Sequence, residues 1–422
     1  MQPRANSARG CCVAAAPDLR FWLRMQYAVA MSQPSSNSAT AVADRLSAFG
    51  STIFTEISQL AIEHDAINLG QGFPNYDGPD FVKQAAINAI HNGHSQYARM
   101  FGIAELNRAI ADRFNADSGL AVDPDAEVTV TSGCTEALIA SFLGLVNPGE
   151  EVILFEPYYD SYRACVAMAG AVPKFVTLRP PDFAVNEDEL REAFSSKTRA
   201  ILVNTPHNPT GKVFTKSELE LIATLCKQHD AIAICDEVYE RLVFDAEHVR
   251  LATLDGMYER TVTLSSLGKT FSLTGWKVGW AIAPPGLTAG VRAAHQFITF
   301  ATATPLQHGA VAAINAPDSY YEEFVEAYRK RRDVLVEGLS RIGFEVYSPS
   351  GTYFVLADHT RFGLGDDVAF CQHLIKKVGV AAIPPSSFYH DPADGKDLVR
   401  FAFCKDEQTL RDALKRMEQL SH

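Results

Sequence analysis

The chain has 422 residues, 47% of them hydrophobic and 21% charged, enough for a large core and for two or three domains or subdomains. Its net charge of −12 argues against nucleic acid or an anionic membrane as the main partner. No apolar run approaches the roughly 20 residues needed to span a bilayer, and the eight cysteines are scattered without a CxxC pair, which fits a reducing, cytoplasmic setting.

Residues 1–40 differ from the rest. They carry Arg4, Arg9, Arg20 and Arg24 against the single acid Asp18, and then a Ser/Asn-rich run over 32–40. We read them as an extension outside the fold, disordered or not native, with Met31 as an alternative start. An organelle-targeting presequence is the second reading, because such leaders are rich in Arg and Ser and poor in acids.

From there the pattern becomes regular. Leu46, Ile53, Ile57, Leu60 and Ala61 predict an amphipathic helix over 45–64. Gly70 and Gly72, in LGQGFP, would let the backbone approach a ligand closely. Helices are expected over 80–92 and 102–116, separated by SQYARM at 95–100. The stretch 128–131 reads as a strand, 132–135 as a tight turn and 136–146 as an apolar helix. A strand, a glycine turn and a helix leave amide N–H groups unpaired at the positive end of the helix dipole, which suits an anion. Pro148 and Gly149 end that helix, and a strand over 152–155 leads to Tyr158 and Tyr159, where an aromatic ring could stack on a planar ligand.

The next unit repeats the plan. A strand over 200–203 runs into a loop stiffened by Pro206, Pro209 and Gly211, then come a helix over 216–229 and a strand over 231–235 that leads into Asp236 and Tyr239. A β-branched strand over 261–264 delivers Ser265, Ser266 and Lys269 to a loop, and Lys277 follows between Trp276 and Trp280. Strands apolar on both faces and alternating with helices imply a parallel α/β sheet. In such sheets ligands sit beyond the carboxyl ends of the strands. The turn after Thr131, Tyr159, Asn208, Asp236 with Tyr239, and Lys269 all fall at such ends. Desolvation or a neighbouring cation can strip a proton from a lysine and make it a nucleophile. Ser266 and Lys277 would suit a phosphate, so the set points to an aldehyde cofactor carried on the Lys269 amine. Beyond Pro284 and Pro285 a mostly helical stretch precedes a long charged helix over 319–341. A strand (353–356), a helix (367–378), a strand (398–403) and a helix (406–420) then suggest a smaller α+β domain packed on the first.

Four motifs occur in this order: NTPHNPTGK (204–212), CDEVYE (235–240), SSLGKTFSLTGWKVGW (265–280) and LVRFAFC (398–404). With them the chain, from about Arg45 to its C-terminus, resembles the class I/II pyridoxal-phosphate-dependent aminotransferases of fold type I. LGQGFPNYDGPDF (69–81) and EPYYDSY (156–162) bring it nearer to the kynurenine, methionine and glutamine aminotransferases. The resemblance implies an α/β, aspartate-aminotransferase-like fold: a large domain with a mostly parallel central sheet flanked by helices, plus a smaller α+β domain. The implied boundaries are 41–75 for an N-terminal arm and part of the small domain, 76–315 for the large cofactor-binding domain and 316–422 for the C-terminal small domain.

It also implies roles. Lys269 would hold pyridoxal 5'-phosphate as a Schiff base and then act as the proton-transferring base; Asp236 would face the ring nitrogen and make the ring an electron sink. Tyr239 and Asn208 would hydrogen-bond the ring oxygen, and Tyr159 would stack on the ring. Backbone N–H groups of Cys134 and Thr135, the Ser266 hydroxyl, Lys277 and a Tyr97 from the partner subunit would take the phosphate, with Glu136 turned away. Arg400 would grip the substrate carboxylate through a bidentate pair, assisted by Asn208 and Gly72. Phe54, Phe73 and Phe300 are candidates for the side-chain pocket, and no metal is called for.

The implied activity is ping-pong transfer of an amino group to a 2-oxo acid by a homodimer with shared active sites. The amino donor would be an aromatic, sulfur-containing or glutamine-like L-amino acid, since no second arginine can be assigned to a distal carboxylate. Ala301 stands where kynurenine-handling relatives carry a polar ring. The alternatives are a cysteine-S-conjugate β-lyase, an aspartate or succinyl-diaminopimelate aminotransferase, and a regulatory protein that kept the fold without turnover.

Overall fold

The structure, a computed structural model, describes residues 42–421; the extension expected over 1–40 lies outside the described residues. A short strand, β1 (Ile67–Asn68), precedes the main sheet. That sheet is formed by β2 (Val128–Thr131), β3 (Glu151–Glu156), β4 (Val172–Thr177), β5 (Thr198–Asn204), β6 (Ile232–Asp236), β7 (Thr261–Ser266) and β8 (Gly279–Ile282). Their spatial order is β2-β8-β7-β6-β5-β3-β4. All neighbours are parallel except at β8, which runs antiparallel to both β2 and β7.

Burial on both faces explains the unbroken apolar runs. Val152, Leu154, Leu202 and Ile234 enter one core, while Ile153, Phe155, Val203 and Cys235 enter another. Each such Val, Leu, Ile or Phe side chain contributes about 1.5–3 kcal/mol when fully buried. Register then sets the ends of the strands side by side: Asn204 pairs with Asp236, and Asp236 with Leu264. The carboxyl ends of β2, β5, β6 and β7 therefore share one edge.

The rest of the chain adds β9 (Glu345–Tyr347), β10 (Phe354–Asp358), β11 (Val380–Ala381) and β12 (Leu398–Ala402). Three of these form an antiparallel sheet in the order β12-β10-β9, in which Arg400 lies opposite Leu356. The remaining one, β11, pairs in parallel with β1, Ile67 against Val380, and Ala402 N–H donates to Leu69 O. The residues just before Gly70 are thus laid against the C-terminal part of the chain.

Several expected boundaries move. The helix expected over 45–64 forms only as Ile53–Glu63, after a separate turn Asp44–Leu46. Gly50, Ser51 and Thr52 interrupt it, and the Thr52 side chain caps the new start by accepting from Thr55 N–H at 3.3 Å. The helix expected over 136–146 begins at Cys134, because Gly133 takes φ +79° and turns the chain there. The helix expected over 367–378 stops as Asp367–His373 and continues as a wider π-turn, Leu374–Val378, closed by Gly379 in the left-handed region. Lys269 stands on a single helical turn, Leu267–Thr270, rather than in a loop. The long helix Asp318–Ile342 matches its pattern. Among the described residues no helix is long and apolar enough to cross a membrane.

Candidate active site

The shared strand edge opens into a cavity of about 140 Å³. Cys134 and Thr135 come to it from the helix after β2, Tyr159 from the loop after β3, Asn208 from the loop after β5, Asp236 and Tyr239 from the end of β6, and Ser266, Lys269 and Lys277 from the end of β7 onward. Nine of the ten residues expected around a cofactor therefore line one cavity. The tenth, Tyr97, lies outside it, 85% exposed.

Lys269 is buried, with its Nζ 5.6 Å from the Tyr239 ring centre and 5.7 Å from that of Tyr353. Burial pulls the pKa of its amine down, against a weaker opposing pull from Cys404 and Asp236. Asp236 is equally buried, and burial pushes its carboxyl pKa up. The partners of that carboxyl are neutral donors: Tyr162 Oη at 2.8 Å, Val238 N–H at 3.2 Å and Cys134 Sγ at 3.6 Å. Burial also raises the pKa of Tyr162 and Tyr239, so both phenols stay protonated and able to donate, and it takes Tyr159 to about 12.

The turn at the head of the helix Cys134–Leu145 is shaped for a close approach. A Cβ on Gly133 would stand 3.1 Å from Lys277 Cε and 3.2 Å from its Nζ, so the glycine leaves room for that amine. Lys277 itself is held at φ +52°, where a non-glycine residue is strained and must be fixed by its surroundings. Glu136 does not line the cavity. Its Oε2 accepts from Ser132 N–H, and its Oε1 meets His295 Nδ1 at 2.6 Å.

Arg400 is 1% exposed. Its Nη1 donates to Asn208 Oδ1 at 3.2 Å and its Nη2 to Gly70 O at 2.8 Å, while its Nε is buried without a partner. Aromatic faces surround the guanidinium: Phe354 at 4.2 Å, Phe54 at 5.1 Å and Phe388 at 5.2 Å. Burial pushes its pKa down to about 10. A buried cation with an unused donor is a site for an anion, and the fork geometry suits a carboxylate.

Not every candidate is brought in. Gly72 presents its carbonyl to Tyr353 Oη at 2.5 Å, and a Cβ there would meet Phe354 Cζ at 2.7 Å; it shapes the wall beside Arg400 without lining the cavity. Phe73 lies instead under Lys405, whose Nζ is 4.6 Å from its ring centre. Phe300 does not reach the cavity of its own chain. It is half-exposed at φ +68° and meets Tyr97 edge-on at 5.5 Å. The residue that sequence reasoning missed is Tyr162. Its position one helical turn after Tyr159 was a usable signal, whereas nothing marked Phe354 or Phe388 in advance.

The residues fit pyridoxal phosphate: a buried amine, a carboxyl without a cation opposite it, amides at a helix start beside Lys277, and an anion-seeking arginine. The model of the family "Aminotransferase class I and II" matches residues 64–417. A probable N-succinyldiaminopimelate aminotransferase of Mycobacterium tuberculosis is 47% identical over 389 residues, covering 89% of this chain and 98% of that one. The methionine aminotransferase of Escherichia coli is 41% identical over 377 residues, covering 89% and 97%. Human kynurenine–oxoglutarate transaminase 1 is 38% identical over 403 residues, covering 87% and 96%. Among solved structures, that of the Mycobacterium tuberculosis N-succinyldiaminopimelate aminotransferase superposes with a TM-score of 0.88 at 48% identity, covering 90% of this chain and all of the other. The chain therefore belongs to the class I and II aminotransferases, enzymes that use pyridoxal phosphate to move amino groups between amino acids and oxo acids.

Proposed function

We propose that this enzyme takes the amino group from an L-amino acid with an aromatic, sulfur-containing or glutamine-like side chain and passes it to a 2-oxo acid, working as a cytoplasmic homodimer by a ping-pong mechanism. The observation that carries the substrate choice is the Arg400 guanidinium, ringed by Phe54, Phe354 and Phe388, with Nε unpaired. Arg400 would take the α-carboxylate, and the rings would favour an uncharged side chain. Among the described residues no arginine lines the cavity itself, and Arg400 adjoins it through Asn208.

In this reading Lys269 would hold the cofactor through Nζ and afterwards carry a proton away from the substrate Cα. The lowered pKa of its buried amine leaves more of it as the free base at neutral pH. Asp236 would hold a proton on the ring nitrogen; that cation would supply the opposite charge which the raised carboxyl now lacks. Tyr162 and Cys134 orient Asp236. Tyr239 and Asn208 would bond the ring oxygen, and Tyr159 would cover the ring. Cys134 and Thr135 N–H, Ser266 and Lys277 would hold the phosphate. When bound, the cofactor supplies an electron sink for the charge released at Cα.

Tyr97 would reach the phosphate of the partner subunit, with Phe300 beside it at the entrance. The exposure of Tyr97 and Phe297, 85% each, supports a surface that a second copy covers. We also propose the division into an arm (41–75), a large domain (76–315) and a small domain (316–422), with Lys269 on the large and Arg400 on the small domain.

A dicarboxylic donor such as N-succinyl-diaminopimelate is the second reading, favoured by the relative that is 47% identical. The test is a panel of amino donors with 2-oxoglutarate and pyruvate as acceptors. Methionine, phenylalanine and glutamine are expected to lead. Higher kcat/KM for N-succinyl-diaminopimelate, aspartate or glutamate would overturn the substrate choice, while release of pyruvate from a cysteine conjugate without an acceptor would identify a β-lyase.

A further inference from the structure

His295 is wholly buried near the end of the helix Pro285–Ile298, which crosses the helix Cys134–Leu145 so closely that a Cβ on Gly144 would stand 2.1 Å from Gly290 O. Both of its ring nitrogens are engaged. Nε2 lies 2.7 Å from Met100 O, and Nδ1 lies 2.6 Å from Glu136 Oε1. A carbonyl can only accept, so the Nε2 position carries a hydrogen. The other oxygen of Glu136 accepts from Ser132 N–H, at the turn that precedes Cys134 and Thr135. The imidazole is therefore joined, through one carboxylate, to the amides placed above around the cofactor phosphate.

Its second attachment leads elsewhere. Met100 closes the segment that carries Tyr97, and Gln96 O of that segment accepts from Thr304 Oγ1 at 2.7 Å. The backbone carbonyl of His295 accepts from Thr299 N–H and Phe300 N–H, both at 3.1 Å, which sets the bend that brings Phe300 against Tyr97. Ser132 Oγ and Thr302 Oγ1, 3.2 Å apart, close the circuit.

We infer that His295 is a positioning residue for the cofactor's phosphate monoester: it holds the Ser132–Thr135 turn through Glu136 and the Tyr97 segment through Met100, so that one imidazole ties the phosphate cradle of its own site to the residues lent to the partner's. The inference rests on the phosphate and dimer assignments proposed above. Neither His295 nor Glu136 touches the cofactor in this scheme; each acts through the backbone amides and segments it fixes.

The test separates cofactor affinity from catalysis. Cofactor-free protein is titrated with pyridoxal phosphate by absorbance, and the KM for the amino donor is measured at saturating cofactor. His295→Phe and Glu136→Ala are expected to weaken cofactor binding about tenfold or more, the scale of one charge-assisted hydrogen bond lost. Glu136→Gln is expected to stay within about threefold of wild type, because an amide oxygen still accepts from Ser132 and its NH₂ can donate to a neutral imidazole. The amino-donor KM should change by less than about twofold throughout, since Arg400 is untouched. Affinity of His295→Phe and Glu136→Ala equal to that of wild type would overturn the inference, as would a parallel rise in the amino-donor KM. Should His295→Phe not fold, the contrast between Glu136→Ala and Glu136→Gln decides by the same criteria. A wild-type protein that takes up no pyridoxal phosphate would instead defeat the cofactor-site assignments themselves.

Discussion

Asp236 and Tyr239 line the cavity, while Glu237 and Glu240, interleaved with them along CDEVYE, turn to a cluster behind it, and the two sides obey opposite electrostatic rules. Behind the cavity, charges are matched: Arg250 donates to both Glu237 and Glu240, Arg241 to Asp117, and Ser265 Oγ to Glu240 Oε1 at 3.1 Å. On the cavity side, neither Lys269 nor Arg400 forms an ion pair among the described residues, and the carboxyl of Asp236 is met by neutral donors. Breaking a buried pair costs about 3–5 kcal/mol, so the matched cluster fixes the backbone of the motif. Unmatched buried charge is costly to hold, and it is kept where a ligand will complete it. One short segment thus has its matched charges on one face and its cavity-lining groups on the other.

The contrast can be broken most severely at Lys269. Lys269→Ala is expected to lower turnover by about 10⁴-fold or more and to abolish borohydride fixation of the cofactor. The cofactor-free protein should remain as stable as wild type or become more so, because an unpaired buried amine is removed. A large fall in its melting temperature would mean that the lysine belongs to the scaffold.

A smaller effect is expected at the arginine. Arg400→Lys keeps the charge but not the fork, and kcat/KM should fall by about 10²–10³-fold with folding intact. Loss of stability without loss of kcat/KM would place Arg400 with the matched cluster instead.

The smallest effect is expected within the matched cluster, at Glu240. Burial raises the pKa of Glu240, but the charges of Arg250 and Arg241 overcome this and hold it at about 2, against an ordinary 4.5. The lowered folded-state value contributes stability that is full above about pH 4.5 and is lost as pH falls toward 2, about 3 kcal/mol in all. Glu240→Gln should cost up to that amount at pH 7 and flatten the acid limb of a stability–pH curve. An unchanged acid limb would show that the cluster does not grip the motif as described.

Much of this was legible in the chain because local signals and burial agreed. The helix Lys216–His229 falls on its expected limits, since Thr215 and Glu218 form a reciprocal cap and Asp230 ends it in the left-handed region. β4 was not legible. It is an edge strand whose residues include Pro173 and Lys174, and a strand with a neighbour on one side only needs no continuous apolar run. The helix before it, Asp160–Met168, is mixed in character for the same reason of partial burial. The candidate site was readable because its members cluster at the ends of strands. What could not be read were long-range contacts: Tyr162 with Asp236, Glu136 with His295, and the rings around Arg400 depend on how distant segments meet, and no spacing encodes that.

The bond from Arg400 to Gly70 spans 330 positions of the chain. Everything that lines the cavity, from Gly133 to Val278, is translated before either Arg400 or the β11 strand that β1 needs as its partner. Both parts nevertheless share one core, in which Tyr162, Val238 and Tyr239 are joined with Phe354, Phe401 and Phe403, so the proposed carboxylate site forms only once that last segment docks.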